Sequence, residues 1–210
     1  MTEKTSISRL LAGFKSFRAL HYEKRGGTIE RLAQEGQAPD VCLIACSDSR
    51  VDPAILFNSD PGEIFVIRNV AALVPPYEPD GFHHGTSAAI EFAVRDLKVS
   101  HLVVLGHSGC GGIEALTDMS SELISKREFI GTWVSLAHEA QRIAGFPDGG
   151  GAIEVERASV QLSVSNLMGF PWIAERVEAG NLALHGWRFN LHAGRLEVLA
   201  GSGEDFSVVE

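Results

Sequence analysis

VCLIACSDSR (41–50) and HLVVLGHSGCGG (101–112) share one plan: a short apolar run, then small and polar residues that carry soft ligands. Runs as short and continuous as Val41–Ala45 and Leu102–Leu105 read as strands buried on both faces, the pattern of a parallel sheet. Open parallel sheets bind ligands beyond the carboxyl ends of their strands, where the strand order reverses. Cys46, His107 and Cys110 stand at those ends, so the two stretches are read as one site, and two thiols with an imidazole point to a metal.

Outward from these stretches the chain alternates between the two periodicities. Ile7, Leu10, Leu11, Phe14 and Phe17 recur at helical spacing after Ser6, giving an amphipathic N-terminal helix whose apolar stripe needs a cover. Gly26-Gly27 breaks the chain, Thr28–Glu35 reads as a second helix, and Asp52-Pro53 has the form of a helix start. Ile64–Ile67 is the next strand, and Thr86–Leu97 is a helix leading to the His101 strand. Glu122–Ala144, Glu154–Met168 and Pro171–Ala179 read as further helices. Leu182–Leu191 and Arg195–Ala200 flank a short connection and form an antiparallel hairpin at the sheet edge; the tail from Gly201 has no clear periodicity.

The expected fold is α/β: a mostly parallel central sheet with an antiparallel edge strand, helices on both faces and an N-terminal helical arm. At 210 residues the chain suits one domain, with the arm at 1–36, the sheet core at 37–200 and a tail at 201–210. A net charge of −9 without a basic cluster argues against nucleic acid or an anionic membrane as partner. The charged start of the chain and the lack of a bilayer-length apolar run lead to the expectation of a cytoplasmic protein. Three cysteines are a poor basis for a disulfide framework, and Cys42, inside the first strand, reads as core.

If the strand direction persists past Ala45, Cys46, Asp48 and Arg50 share one face. Three protein ligands leave a zinc ion one open position, whereas structural zinc sites are usually closed by four. Asp48 could fill that position, or Arg50 could hold it away from the metal; the spacing permits both. The glycines around His107 and Cys110 superficially suggest a phosphate cradle, but neither nucleotide-binding pattern is present.

These residues resemble the beta-class carbonic anhydrases, in particular their plant-type branch. The match covers Cys-Ser-Asp-Ser-Arg (46–50) and Gly-His-Ser-Gly-Cys-Gly-Gly (106–112), with Pro-Gly-Glu (61–63), Arg-Asn-Val (68–70) and His-Gly-Trp (185–187) in support. The resemblance implies Zn2+ on Cys46, His107 and Cys110, an Asp48–Arg50 dyad, and reversible hydration of carbon dioxide to bicarbonate by zinc-bound hydroxide. It further implies a substrate pocket of Gln37, Phe65, Val70, Phe92 and the Gly111 amide. Phe92 departs from the family, which often has tyrosine there. The implied assembly is a homodimer or a dimer-based tetramer with the N-terminal helix across the neighbouring subunit. Leu43 and Phe189 replace the aromatic residues of the bicarbonate-regulated branch, so that regulatory site is not expected. Hydrolysis of carbonyl sulfide or carbon disulfide on the same scaffold is the alternative activity.

Overall fold

The computed structural model describes residues 6–22, 27–117, 127–148, 151–200 and 205–209. Six strands form one sheet in the order β2-β1-β3-β4-β5-β6. They are β1 (Val41–Cys46), β2 (Ile64–Asn69), β3 (His101–His107), β4 (Ala183–Asn190), β5 (Arg195–Leu199) and β6 (Phe206–Val209). The first four are parallel, and β5 and β6 close the sheet as an antiparallel ribbon. The chain leaves β1 toward β2 on one side and returns to β3 on the other, which puts the reversal of strand order between β1 and β3.

That order also sorts the helices, because right-handed crossovers running in opposite directions fall on opposite faces. The step from β1 to β2 carries α3 (Pro53–Leu56), and Leu56 and Phe57 pack on the face formed by Leu43, Ala45, Val103 and Leu105. The steps from β2 to β3 and β3 to β4 run the other way. They carry α4 (Gly85–Glu91), α8 (Ala152–Met168) and α9 (Pro171–Glu178), whose Ile90, Val160, Leu167 and Ile173 cover Cys42, Ile44, Leu102 and Val104. Cys42 is fully buried in this second face, as its position inside β1 predicts.

Several elements depart from the sequence reading. Thr86–Leu97 is not one α-helix: α4 ends at Glu91 and Phe92–Asp96 is a π turn, closed by the Leu97 amide donating to the Phe92 carbonyl at 3.0 Å. The wider turn aims Phe92 outward, where its ring meets Phe65 at a centroid distance of 6.0 Å. The start of the expected Glu122–Ala144 helix lies outside the described residues, and the rest is α6 (Ile130–Ser135) and α7 (His138–Ile143). Amides of Leu136 and Ala137 bond three residues back, and the resulting bend lets the Trp133 indole reach the Val70 carbonyl at 2.8 Å. The tail past residue 200 is not free of the sheet, since Phe206–Val209 pairs with β5. Four residues are too few for a periodicity to register, so only the pairing partner reveals this strand.

At the other end of the chain, α1 (Ser6–His21) forms as its spacing predicts, followed by α2 (Thr28–Glu35). None of the α1 residues is buried; Ile7, Leu10, Leu11 and Phe14 are between 59% and 70% exposed.

Candidate metal centre

The register that sets Ala45 beside Leu105 brings Cys46 and His107 out at the same end of neighbouring strands. A turn through Ser108 and Gly109 then returns Cys110, just ahead of α5 (Gly111–Thr117). The ligand atoms of Cys46, His107 and Cys110 all lie within 4.8 Å of one another, and all three residues are buried. The two sulfurs stand 3.9 Å apart. A disulfide needs about 2.05 Å, whereas two thiolates each about 2.3 Å from one tetrahedral zinc stand roughly 3.8 Å apart.

The imidazole is prepared in the same sense. His107 Nδ1 lies 3.0 Å from the Ser108 carbonyl, an acceptor, so Nδ1 carries the proton and Nε2 the lone pair. Nε2 is buried and has no hydrogen-bond partner. A buried nitrogen lone pair facing two sulfurs costs free energy unless something accepts it, and a metal ion does. The donor set therefore fits zinc. Without an ion, hydrogen bonds from Cys110 favour the Cys46 thiolate against the cost of burial, with backbone amides of Asp48 and Ala71 donating at 3.4 and 3.3 Å. The Cys110 thiol is pushed up by that same bond and by burial.

Ala71 reaches the sulfur only because the chain is strained there. Ala71 and Ala72 have φ of 67° and 53°, a left-handed region that costs a residue with a Cβ about 1–3 kcal/mol. Gly112 makes room for this segment: a Cβ on it would stand 2.8 Å from Val70 Cγ1 and 3.1 Å from Ala71 Cβ. Val70 is thus held against the ligand cluster, and it also lines a cleft of about 680 Å3 with Trp133, Phe129, His83 and His84.

Asp48 and Arg50 are brought together by a turn, and the strand direction does not persist to them. β1 stops at Cys46, and the Asp48 carboxylate accepts the Arg50 amide at 2.9 Å. The guanidinium then donates to both carboxylate oxygens, at 3.0 and 2.6 Å, and to the Gly109 carbonyl at 2.8 Å. The Arg50 hydrogen bond holds the Asp48 carboxyl well below its ordinary value of 3.8. Arg68 clamps the same loop, donating to the carbonyls of Cys46 and Asp48 and to the Asp52 carboxylate at 2.6–3.0 Å. The motif Arg-Asn-Val held no hint of this clamping role; the place of Arg68 in β2 opposite Ala45, one residue before Cys46, becomes visible only with the strand pairing.

The remaining pocket residues divide. Gly111 begins α5 beside Cys110. Gln37, in contrast, is exposed and stands before the start of β1, whose far end carries Cys46. Phe65 pairs with Cys42, four residues below the ligand, and Phe92 accompanies it with 44% of its surface exposed. Phe65 packs in the core group of Cys42 and Ile44, apart from the group that holds Cys46 and Cys110.

The family model described as carbonic anhydrase matches residues 41–196. The chain is 40% identical over 182 residues to beta carbonic anhydrase 5, chloroplastic, of Arabidopsis thaliana, covering 84% of this chain and 59% of that protein. It therefore spans about three-fifths of that relative's length. Among solved structures it resembles the beta-carbonic anhydrase CcaA, with a TM-score of 0.86 and 31% identity over 98% of this chain and all of that one. It also resembles two tetrameric beta-carbonic anhydrases from Sordaria macrospora, with a TM-score of 0.72 and 30% identity over 93% of this chain and 94% of the other.

Proposed function

The chain belongs to the beta-class carbonic anhydrase family, and from that premise we propose that it catalyses the reversible hydration of carbon dioxide to bicarbonate and a proton. The observation that carries this reading is the buried trio of Cys46, His107 and Cys110, with the unpartnered Nε2 of His107 facing two sulfurs. These three would hold zinc, which when bound supplies the Lewis acidity that makes water nucleophilic near neutral pH.

The chain's own residues do the rest. Arg50 donates to both oxygens of Asp48 and keeps the carboxylate ionised, ready to accept a hydrogen bond from a group that carries a proton. Val70, fixed by Trp133, gives an apolar wall suited to an uncharged linear gas. The Gly111 amide, at the start of α5, is the donor offered to a substrate oxygen. The names of the relatives favour carbon dioxide over carbonyl sulfide or carbon disulfide as substrate.

A homodimer or dimer-based tetramer belongs to the same proposal, with the second copy supplying Gln37, Phe65 and Phe92. The register of Phe65 opposite Cys42, the exposed Gln37 and Phe92 and the exposed stripe of α1 support it, as do the tetrameric neighbours. The proposal also includes a cytoplasmic setting, which cell fractionation tests.

Stopped-flow hydration of carbon dioxide with metal analysis tests the activity. We expect about one zinc per chain, activity lost on chelation and restored by zinc. Zinc at full occupancy with no hydration at any pH from 6 to 9 rejects the enzymatic reading, and faster turnover of a sulfur analogue rejects the substrate.

A further inference from the structure

Glu156 is a carboxylate buried in α8, far in sequence from every motif above and 4% exposed. Its Oε2 accepts two hydrogen bonds from the equally buried Arg188 of β4, at 2.9 and 2.6 Å, and Arg188 also donates to Glu197 of β5 at 2.9 Å. Its Oε1 is aimed elsewhere and accepts the amide of Gly109 at 2.7 Å. Gly109 is the midpoint of the turn between His107 and Cys110, and its carbonyl is the one gripped by Arg50. This turn is therefore pinned from two sides: the amide by α8, the carbonyl by the end of β1. Its left-handed φ of 63° is a conformation a larger residue resists. The preceding residue is tied to β4, with the Ser108 amide on the Phe189 carbonyl and its hydroxyl accepting from Leu191.

A buried ion pair is by itself weak evidence of stabilisation, because desolvating both charges offsets their attraction. What Glu156 adds is direction: a charge-assisted bond, stronger and shorter than a neutral one, that fixes one peptide plane. That plane, Ser108–Gly109, also carries the Ser108 carbonyl that accepts from His107 Nδ1, so rotating it would release the imidazole and change the spacing of His107 and Cys110 together.

We propose that Glu156, held by Arg188, is a positioning residue of the metal centre, setting the His107–Cys110 turn for zinc by fixing the Ser108–Gly109 peptide whose carbonyl orients the His107 imidazole. The inference rests on the hydration reading for its kinetic arm only. Glu156→Gln and Glu156→Asp are compared with Leu167→Ala, a cavity in the same helix more than two turns away that destabilises the core without touching the turn. Zinc affinity is read by chelator competition, and kcat and KM by stopped flow.

The expected result is zinc bound about 10- to 100-fold more weakly in both Glu156 variants and unchanged in Leu167→Ala. The kinetic result expected is a lower kcat, KM within about twofold, and little further loss when Glu156→Asp is added to Arg50→Ala, since both hold the backbone of Gly109, one at its amide and the other at its carbonyl. Glu156→Asp keeps the charge opposite Arg188, so it decides the matter if Glu156→Gln does not fold. Zinc affinity within about twofold of wild type in a folded Glu156 variant, or a loss no larger than that of Leu167→Ala at matched stability, overturns the proposal, as do multiplicative effects with Arg50→Ala. An inactive wild-type protein would reject the hydration reading, and the zinc measurement would still decide this one.

Discussion

The two ends of β1 are built on different terms. At the carboxyl end Cys46 enters a buried trio whose turns are closed by Arg50, Arg68, Glu156 and the strained Ala71 segment, all from the same chain. At the amino end Gln37, Phe92 and the α1 stripe are exposed, and the Phe65–Phe92 pair stands at the surface. The chemistry of metal binding needs groups fixed within a few tenths of an ångström, which one continuous network supplies. A substrate wall needs apolar area, which a second copy can supply while burying its own exposed stripe.

The largest expected effect breaks the first region. His107→Ala removes the nitrogen donor, and zinc content and hydration should both fall, the latter by at least ~10³-fold; retained turnover would separate activity from this cluster. The second effect tests the other region. Gln37→Ala and His107→Ala chains, each inactive or weak alone, should recover activity when mixed, because a mixed dimer has one intact composite site. Random pairing gives about a quarter of wild-type sites, and no recovery would mean Gln37 acts within its own chain or not at all.

A third measurement separates assembly from catalysis. Leu10→Ser with Phe14→Ser should shift the sedimentation equilibrium toward smaller species, because the stripe they occupy is exposed and finds no cover among the described residues; unchanged mass at micromolar protein would exclude α1 from the interface. A smaller effect is expected for Gly112→Ala, where the added methyl presses on Val70 and Ala71. Overpacking of this kind costs about 1–3 kcal/mol, or roughly 2–8 °C in Tm for a chain of this size.

The smallest effect concerns pH. Arg50 depresses the Asp48 carboxyl, so the ionised form is favoured by folding; its contribution to stability is whole above 3.8 and is lost as pH falls below it. The Tm gap between wild type and Asp48→Asn should be constant through the neutral range and close only in that acidic window. The pair is partly in water, so the gap should also shrink with salt.

Much of the site is legible in local sequence because its ligands follow strand ends at fixed spacing. Cys46, His107 and Cys110 are found that way, and the bond from Arg50 to Asp48 agrees with their closeness in sequence even though a turn, not a continued strand, makes it. Glu156, Arg188 and Arg68 could not be found so, since single charged residues turned inward leave no periodic trace and their partners lie 9 to 47 positions away. The π turn at Phe92 and the β6 strand escaped for a related reason: helical periodicity continues through one widened turn, and a four-residue edge strand has no pattern of its own.

Alternation of apolar runs with helical stripes, and the residues that end those runs, pointed by themselves to the mostly parallel sheet and to the three candidate ligands, while the order reversal between β1 and β3 came with the strand pairing. Tertiary structure alone decided which carboxylate pins the ligand turn, how Ala71 is brought against a sulfur, and that Gln37 and Phe92 are exposed. The reason is physical: backbone periodicity is a local property of the chain, while a hydrogen bond across the core or a gap left at a surface exists only once distant segments have packed.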